Sequence, residues 1–456
     1  MLISVIGAGY VGLVTAACLA HLENDVRVVD IDAARVERLR AGDVPIREPG
    51  LDALIHEGLA TGRLTFHAEP TATHGSSLVI VAVGTLDRAG EWTVDLVERA
   101  ASGIAHDALA PRHLVIRSTL MPGTAVRLAA LVRDIDARMR VCFNPEFTRE
   151  ANAVKDFLEP DRVVVGAGPD ADSLVAELHR LYAPLGKPIM DTDLTSAETI
   201  KLASNVFLAA KISFANELAR LCAATGADVH AVVDGMGLDA RIGRAFLSPG
   251  PGFGGSCFPS QVRALPDLAL RYGVVTPIIA AVAPSNHEQA IWIVDGLEQA
   301  SGRSVAGTRV GLLGLTFKAG TDDLRESPAL RLAEVLAGRG AQVVAFDPVA
   351  TQAGVDQLAR IGIAVEAAST AADAARDADA IVVGTEWPEF ATLDWAAIAP
   401  TMRGRVIADA RRIVDRSAAN EAGLTVVTLG IEHAPRRPSS DDAARVAIPV
   451  GTPAGV

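Results

Sequence analysis

The stretch LISVIGAGYVGLVTAACLAHLENDVRVVDID, residues 2–32, decides the fold of the first part of the chain. A short β-type apolar run leads to Gly7, Gly9 and Gly12, an apolar helical segment follows, and a second β-type run ends at Asp30. This order predicts a βαβ unit in which a pyrophosphate approaches the N-terminus of the helix. Glycine-rich turns often only connect two elements, but the flanking strands and the acidic residue favour dinucleotide binding. Because Asp30 would bind ribose hydroxyls and disfavour a 2′-phosphate, the expected cofactor is NAD.

Apolar segments continue this pattern along the chain. Strands are predicted at 78–85, 113–119, 139–147 and 161–166, and helical stretches separate them, as in a parallel sheet. We therefore expect residues 1–195 to form an NAD-binding Rossmann domain.

From residue 196 the sequence becomes helical. The segment SAETIKLASNVFLAAKISFANELARLCAATG repeats apolar residues at helical spacing, and more helix is predicted at about 261–296. A long and mostly apolar helix must bury its surface, so residues 196–300 are expected to link two domains and to form the interface of a homodimer.

A second β-glycine-helix-β signature lies in TRVGLLGLTFKAGTDDLRESPALRLAEVLAGRGAQVVAFDP. It predicts strands at 310–313 and 342–346 around a helix at 327–337, so residues 301–435 are expected to form a second Rossmann-like domain. The predicted fold class is α/β, with two doubly wound lobes joined by a long central helix and a ligand cleft between the lobes. Residues 436–456 lack periodicity and are expected to be a disordered tail.

Composition and charge exclude several classes of protein. The 456 residues predict two or three domains, and the formal charge of −13 argues against a nucleic-acid binder. No apolar run approaches the roughly 18 residues of a membrane span, and no secretory signal pattern is present, so a cytoplasmic location is expected. The cysteines form no C-x-x-C pair, which predicts reduced thiols and no metal site.

The loop GPGFGGSCFPSQ, residues 250–261, contains the first candidate for chemistry. Cys257 is predicted to lie outside any strand or helix, and the glycines around it let backbone amides approach a ligand or an oxyanion. This setting favours a nucleophile. The alternative, a small buried hydrophobic residue, fits Cys18 and Cys222 better.

Two pairs of polar residues, each four apart, are further candidates. Lys201 and Asn205 lie on one side of the central helix and would stabilise an alkoxide or oxyanion, unless the lysine only forms a solvated pair with Glu198. Glu146 and Glu150 would share a face if their segment is helical, and one of them could then act through water as a general base. The alternative for these two carboxylates is helix capping and solvation.

Charged residues before the second lobe's first helix and upstream of the glycine loop complete the candidates. FKAGTDDLRESP carries Lys318, Asp322, Asp323 and Arg325, which form either a salt-bridged hinge or part of a ligand cleft. Arg241 has a guanidinium suited to a phosphate or a sugar, with surface solvation as the alternative.

Taken in order, the segments IGAGYVGLVTAACLA, VPIREPGL, NPEFTREA, KLASNVFLAAKISFANE, GPGFGGSCFP and GLTFKAGTDDLRESPA resemble the UDP-glucose 6-dehydrogenase family of nucleotide-sugar dehydrogenases. The resemblance covers nearly all of the chain except the tail, and it implies that the second Rossmann-like domain, residues 301–435, binds the nucleotide sugar. It implies that a nucleoside-diphosphate glucose is oxidised at C6 to the carboxylate with two NAD+ in succession. Cys257 would form a thiohemiacetal and then a thioester, which water hydrolyses, while Lys201 and Asn205 stabilise the oxygen anion.

The resemblance also implies roles for residues around these three. Glu150, with Thr119 and a water, would transfer protons, and Glu146 would contact the substrate or assist catalysis. Arg241 would enter the site of the neighbouring subunit. The implied catalytic residues are Cys257, Lys201, Asn205, Thr119, Glu150, Glu146 and Gln261. The implied cofactor residues are Gly7, Gly9, Tyr10, Val11, Gly12, Asp30, Arg35, Thr85, Thr119, Glu150 and Arg325. The implied substrate residues are Glu146, Phe147, Arg149, Glu150, Lys201, Asn205, Arg241, Phe246, Leu247, Gly250, Gly254 and Lys318.

The sequence departs from the family pattern directly after the cysteine. Ser260 and Gln261 stand where the family usually has Lys-Asp, and a neutral glutamine cannot accept a proton at pH 7. We therefore expect thioester hydrolysis to be slower, or to depend on Glu150, while hydride transfer is retained. A smaller departure is Leu86, where the family tends to have proline.

The sequence leaves three alternatives open. The substrate base is uracil or thymine, because no residue decides between UDP-glucose and dTDP-glucose. The sugar nucleotide is a glucose derivative or a relative such as GDP-mannose or UDP-N-acetylmannosamine. The chain is an active dehydrogenase or, given the altered pair after Cys257, a nucleotide-sugar-binding protein with impaired catalysis.

Overall fold

A computed structural model describes residues 1–87 and 92–429, and the predicted tail lies outside these residues. The first lobe is built on one eight-stranded sheet in the order β3-β2-β1-β4-β5-β6-β7-β8. Its strands are β1 (Leu2–Ile6), β2 (Asp25–Val29), β3 (Leu64–His67), β4 (Leu78–Val81), β5 (His113–Ile116), β6 (Arg140–Phe143), β7 (Val163–Ala167) and β8 (Ile189–Asp193). Its α-helices are α1 (Tyr10–His21), α2 (Ala33–Arg40), α3 (Leu51–Thr61), α4 (Asp95–His106), α5 (Thr124–Ile135), α6 (Ala153–Leu158) and α7 (Asp172–Tyr182).

The sheet brings the first strands to its middle. β1 pairs in parallel with β2 on one side and with β4 on the other, so the strand order reverses at β1. A crevice at the carboxyl ends of the strands is expected at such a reversal. The predicted strands end earlier than expected, since β4 stops at Val81 and β6 at Phe143. The prediction of a purely parallel sheet is wrong at one place, because β6 and β7 are antiparallel.

Four helices form the centre of the molecule. They are α8 (Leu194–Thr225), α9 (Val229–Gly237), α10 (Cys257–Arg271) and α11 (Pro277–Ser301). The long helix is as predicted, and Asp193 caps its first turn through a 2.8 Å hydrogen bond from the Ser196 amide. The helix predicted at about 261–296 is two helices, because Gly273, with a φ of +73°, and Pro277 break it.

The second lobe repeats the layout of the first on a parallel six-stranded sheet in the order β11-β10-β9-β12-β13-β14. The strands are β9 (Arg309–Leu313), β10 (Gln342–Phe346), β11 (Val365–Ala367), β12 (Ala380–Val383), β13 (Val406–Asp409) and β14 (Thr425–Thr428). The helices are α12 (Pro328–Gly338), α13 (Thr351–Arg360), α14 (Ala371–Ala375), α15 (Pro388–Ala391), α16 (Trp395–Ile398) and α17 (Arg416–Glu421). Two Rossmann-like lobes joined by a helical centre are therefore confirmed.

Two searches of the described ranges bear on the class of protein. No helix within residues 1–87 and 92–429 combines the length and the apolar character needed to cross a membrane. In those same ranges, no cluster of three or more His, Cys, Asp or Glu side chains could hold a metal ion.

Candidate active site

The turn between β1 and α1 forms a narrow cradle at the carboxyl end of β1. Gly7 has a φ of +103°, and a Cβ there would lie 2.6 Å from the Ala82 carbonyl oxygen. A Cβ on Gly12 would lie 1.9 Å from the Gly7 carbonyl oxygen, so α1 packs this closely only because position 12 has no side chain. A Cβ added to Gly9, the N-cap of α1, would have no atom within 4 Å. The open space therefore lies at the N-terminus of α1, where backbone amides favour a phosphate.

Asp30 follows β2 beside this cradle. One carboxylate oxygen accepts a hydrogen bond from the Ala8 amide at 2.6 Å, and the other accepts from the Asp32 amide at 2.9 Å. The Arg35 guanidinium lies 3.4 Å from the same carboxylate. These residues fit NAD, whose pyrophosphate the glycine turn would hold and whose ribose Asp30 would bind.

The other predicted cofactor residues surround the cradle. Tyr10 and Val11 begin α1, and the Tyr10 hydroxyl donates to the buried Glu48 carboxylate. Thr85 and Thr119 lie in the loops after β4 and β5, the strands next to β1 in the sheet. Thr85 is fixed at its backbone, where its carbonyl accepts from the amide of residue 93 at 3.0 Å.

A cavity of about 950 Å³ lies between the two lobes and the central helices. Its wall contains many of the predicted substrate and catalytic residues, which are Glu146, Phe147, Arg149, Glu150, Lys201, Asn205, Phe246, Gly254, Cys257 and Lys318. The predicted substrate and catalytic residues outside its wall are Thr119, Arg241, Leu247, Gly250 and Gln261. One cleft therefore brings together residues that are up to 172 positions apart in the sequence, from Glu146 to Lys318.

Cys257 is the first residue of α10, and its side chain opens onto this cavity. The prediction that it lies outside any helix is wrong. The glycine run ends at Ser256 and the helix starts at the cysteine, because Pro259 is tolerated in a first helical turn, where amides need no intrahelical acceptor. The remaining cysteines are all buried: Cys18, Cys142 and Cys222.

The surroundings of the Cys257 thiol act on its acidity in opposite directions. Desolvation by the surrounding protein raises the pKa of the thiol, while the Lys201 ammonium favours the thiolate. The Ser256 hydroxyl lies 3.6 Å from the sulfur. The N-terminal position in α10 also favours a thiolate, as at other reactive cysteines.

Lys201 is a buried cation on α8 that faces Glu146. Its ammonium lies 2.7 Å from the Glu146 carboxylate and 2.5 Å from the Glu146 carbonyl oxygen. Although burial opposes ionisation, the ammonium and hydrogen bonds from Thr148 hold the pKa of Glu146 at about 2. The alternative of a solvated pair with Glu198 is wrong, because Glu198 is buried and accepts at 2.7 and 2.6 Å from backbone amides at the N-terminus of α5.

Asn205 lies one turn further along α8 and connects the cavity to Gln261. The Asn205 amide donates to the Gln261 side-chain oxygen at 2.9 Å, and both side chains are buried. Ser260 uses its hydroxyl within the helix, donating to the Ser256 carbonyl at 2.6 Å. Of the two residues that depart from the family pattern, only Gln261 contacts a side chain of the cavity wall through a side-chain hydrogen bond.

Glu150 lies where the two lobes meet. The chain from Glu146 to Glu150 is irregular, so the two carboxylates do not share a helix face. The Glu150 carboxylate lies 3.2 Å from the Arg325 guanidinium. The backbone carbonyl of Glu150 accepts a hydrogen bond from the Lys318 ammonium. Burial and the neighbouring Asp323 carboxylate raise the pKa of Glu150 to about 7, although Arg325 opposes this shift. A carboxyl group with a pKa near neutrality is suited to general acid–base catalysis.

The remaining predicted substrate residues differ in their placement. Phe246 packs on Phe258 with ring centroids 6.3 Å apart, and it adopts a φ of +63°. Arg149 lines the cavity but forms an ion pair with Asp156 at 2.7 Å. Arg241 is paired with the nearby Asp239 and points into solvent, with 88% of its side chain exposed, so it does not reach the cavity of its own chain.

The cavity wall includes charged residues that the sequence reasoning missed, and Arg411 and Arg162 are two of them. Arg411 follows β13 and donates to the carbonyl oxygens of Phe317 and Gly384 at 2.9 and 3.0 Å. Its place directly after a strand of the second lobe is a signal in the sequence, because ligands of such folds lie beyond the carboxyl ends of the strands. Arg162 stacks on the Phe147 ring at 4.0 Å, and no sequence motif marks it.

A dinucleotide-binding lobe, a second Rossmann-like lobe and a cysteine in the cleft between them define this protein as an NAD-dependent oxidoreductase. The chain belongs to the UDP-glucose/GDP-mannose dehydrogenase family. Residues 1–186 match the NAD binding domain of that family, 195–288 its central domain and 311–416 its UDP binding domain. The predicted cofactor and family are confirmed.

Individual relatives agree with this assignment. The chain is 38% identical to a UDP-glucose 6-dehydrogenase of Rhizobium meliloti, over 94% of this chain and 99% of the relative. It is 41% identical to a UDP-glucose 6-dehydrogenase of Pseudomonas aeruginosa, over 94% and 97% of the two chains. Among solved structures, a UDP-glucose dehydrogenase of Pyrobaculum islandicum superposes with a TM-score of 0.83, at 36% identity and over 95% and 98% of the two chains.

Proposed function

We propose that this protein oxidises C6 of UDP-glucose or dTDP-glucose to the glucuronic acid through a thioester on Cys257. The observation that carries the proposal is the position of Cys257 at the N-terminus of α10, on the wall of a cavity shared with Lys201, Asn205 and Glu150. The names of the relatives and the UDP binding domain support a glucose nucleotide as substrate.

The reaction assigns a separate task to each of these side chains. NAD+ supplies the oxidising chemistry when bound, because it accepts one hydride in each of two oxidations. After the C6 alcohol has lost a hydride and a proton, the Cys257 sulfur bonds to the aldehyde carbon, and the carbonyl oxygen takes a proton. Loss of a second hydride and a proton leaves a thioester. Water then attacks the acyl carbon and the carbon–sulfur bond breaks. One proton of the water goes to the sulfur, the other is released, and the carboxylate and the free thiol result.

Lys201 and Asn205 would stabilise the oxygen that carries negative charge in these steps. Both are held rigidly, the lysine against Glu146 and the asparagine against Gln261. Preorganised donors of this kind stabilise an oxyanion without reorganising during the reaction. Glu150 would accept the protons, as its pKa near 7 allows.

Gln261 makes hydrolysis of the thioester the step most exposed to change. Its oxygen already accepts from Asn205, and a glutamine cannot accept a proton at neutral pH. We expect a burst of NADH followed by slower turnover, observed by rapid mixing. A Gln261→Asp variant should shorten the slow phase, and steady turnover unchanged by that substitution would contradict the role.

The test of the whole proposal is the yield of NADH per sugar nucleotide. UDP-glucose and dTDP-glucose are supplied separately, with GDP-mannose and UDP-N-acetylmannosamine as competitors, and the kcat/KM values identify the base and the sugar. Two NADH per sugar are expected from the preferred substrate.

Cys257→Ser should lower the rate of acid formation by about a thousandfold or more, while Cys222→Ser, at a buried cysteine of α8 away from the cavity, serves as the matched control. If none of the four sugar nucleotides gives NADH, the alternative of a catalytically impaired binding protein is favoured.

We also propose that the chain forms a homodimer through α8. Phe207, Phe214 and Leu221, spaced seven residues apart along this helix, are 67%, 48% and 58% exposed. An apolar stripe of this kind is covered in soluble proteins by a second surface, and a two-fold dimer supplies one. Arg241 would then enter the cavity of the neighbouring subunit. Sedimentation of the parent chain and of Phe214→Glu tests this, with a dimer expected for the first and a monomer for the second.

A further inference from the structure

The glycine-rich loop before Cys257 has few backbone partners of its own. Residues 248–256 contain prolines at 249 and 251, which have no amide hydrogen, and no helix or strand. Buried backbone groups of such a loop must nevertheless be hydrogen-bonded, because an unpartnered group in the interior is costly. Side chains of the two long central helices provide these partners.

Asn286 on α11 binds both polar backbone groups of Phe253. Its side-chain oxygen accepts from the Phe253 amide at 2.8 Å, and its amide nitrogen donates to the Phe253 carbonyl at 3.0 Å. A neutral amide can accept through its oxygen and donate through its nitrogen at once, whereas a carboxylate only accepts and an ammonium only donates. The contact therefore depends on the chemistry of the amide and not only on its size.

Gly250 is bound in the same way, but by two side chains. Asn216 on α8 accepts from the Gly250 amide at 2.8 Å, and Gln289 on α11 donates to the Gly250 carbonyl at 2.9 Å. Both side chains are fully buried. The two backbone groups of Gly250 are thus held between α8 and α11.

The side-chain amides of Asn216 and Gln289 each have one polar atom without a hydrogen bond. The Asn216 side-chain nitrogen and the Gln289 side-chain oxygen are buried and have no hydrogen-bond partner within the part of the chain that the structure describes. A buried polar atom without a partner destabilises a protein, but apolar side chains at these two positions would leave the amide and the carbonyl of Gly250 unpartnered instead. The hydrogen-bonding capacity of both side chains is therefore directed at the backbone of the loop.

We propose that Asn216, Asn286 and Gln289 form an amide clamp, a set of positioning residues that fixes the loop 248–256 and so sets the position of Cys257. The loop is also held from the second lobe, where the Arg325 carbonyl accepts from the Gly255 amide at 2.9 Å. Because the clamp is neutral, it adds no negative charge near an anionic ligand. The expected effect of the clamp on substrate binding rests on the proposed function. Its expected effect on the loop does not, because the loop is held without a substrate.

Hydrogen–deuterium exchange of the ligand-free protein tests the clamp directly. Gln289→Met keeps the length of the side chain and removes both polar atoms, and Asn286→Asp replaces the donor that faces the Phe253 carbonyl. We expect peptides that cover residues 248–256 to exchange faster in both variants. Gln299→Glu, at an exposed position on the same helix, is the matched control and should exchange at the parent's rate in this loop.

Kinetics separate a positioning role from a structural one. We expect Gln289→Met to lower the Tm, because the buried Gly250 carbonyl loses its donor. We expect it to keep the parent's NAD affinity, to raise the KM for the sugar nucleotide about tenfold, and to change the rate at which iodoacetamide alkylates Cys257. If that variant does not fold, Asn286→Asp carries the same measurements. Loop exchange, KM and alkylation at the parent's values in a folded variant would overturn the clamp. If the parent oxidises no sugar nucleotide, the proposed function fails, and the exchange and alkylation results still decide whether the clamp exists.

Discussion

The two Rossmann-like lobes contain the same turn after their first strand, but only in the first lobe does a helix begin directly after the turn. The Gly7 amide donates to the last carbonyl of β2 at 2.8 Å, and the Gly314 amide donates to the last carbonyl of β10 at 2.7 Å. The φ angles of the two glycines are +103° and +90°. A Cβ on either would collide with the segment after the neighbouring strand, at 2.6 Å from Ala82 or 2.4 Å from Thr385.

Each turn also has an aspartate after its second strand. Asp30 accepts from the amide of the residue after Gly7 at 2.6 Å, and Asp347 accepts from the amide of the residue after Gly314 at 2.8 Å. The second carboxylate, however, is nearly saturated within the protein. It also accepts from the Trp387 indole at 3.1 Å and from further backbone amides at 3.0 and 3.1 Å.

The two lobes differ in the chain directly after the first glycine. In the first lobe, Gly9 and Gly12 allow α1 to begin directly after the turn, with its amides facing open space. In the second lobe the next helix starts only at Pro328, and the loop from 314 to 327 carries Asp323 and Arg325 toward the first lobe. A strand, a glycine and an aspartate are therefore enough for the turn, whereas binding of a pyrophosphate at the turn needs the later glycines and the adjacent start of the helix.

The largest effect is expected from Gly12→Ala. Because the new Cβ would lie 1.9 Å from the Gly7 carbonyl oxygen, backbone must move, and the free energy of unfolding should fall by about 3 kcal/mol or more. Urea unfolding measures the loss, and calorimetry should find no NAD binding. Gly103→Ala on α4 is the control, since its Cβ would meet no atom within 4 Å and should not destabilise the lobe. A parent-like unfolding midpoint for Gly12→Ala would show that the cradle is not tight.

The two aspartates should separate ligand binding from stability. Asp347→Asn places an amide group among several hydrogen-bond donors, and the free energy of unfolding should fall by about 2–3 kcal/mol with NAD affinity retained. Asp30→Asn should instead weaken NAD binding about tenfold or more, with a smaller loss of stability. Denaturant unfolding and NAD titration of both variants test this. Equal effects of the two on both measurements would remove the distinction between the lobes.

Gly9→Ala should weaken the ligand site with almost no change in the fold. The φ of Gly9 is −81°, which alanine adopts freely, and the new Cβ would meet no protein atom within 4 Å. The free energy of unfolding should therefore change by no more than about 0.5 kcal/mol. The methyl group would occupy the space beside the α1 amides, so the Kd for NAD should rise about tenfold. An unchanged Kd would place the pyrophosphate elsewhere.

The lobes and the first turn were predictable because local patterns determine them. Gly7, Gly9 and Gly12 have a fixed spacing between a strand and a helix, and Asp30 ends the next strand. The cavity was less accessible to sequence reasoning. The pair of Lys201 with Glu146 and the contact of Glu150 with Arg325 join segments that only the tertiary fold brings together. The sequence predicts Cys257 as the candidate nucleophile. It does not predict that a helix begins at this residue, because the glycine run before it hides where the irregular loop ends.

The smallest effect, in the pH dependence, tests how the loop from 314 to 327 in the second lobe acts on Glu150 of the first lobe. Glu150 belongs to the first lobe, yet Asp323 and Arg325 of that loop act on its acidity in opposite directions, and its pKa is about 7. A base with this pKa is half protonated at pH 7, so kcat/KM for the sugar nucleotide should fall roughly twofold between pH 8 and pH 7 and further below that. Asp323→Asn removes a like charge and should shift the profile to lower pH. Arg325→Gln removes the opposing cation and should shift it to higher pH, when both variants are measured at saturating NAD. Profiles that coincide with the parent's would mean that the loop does not control the base.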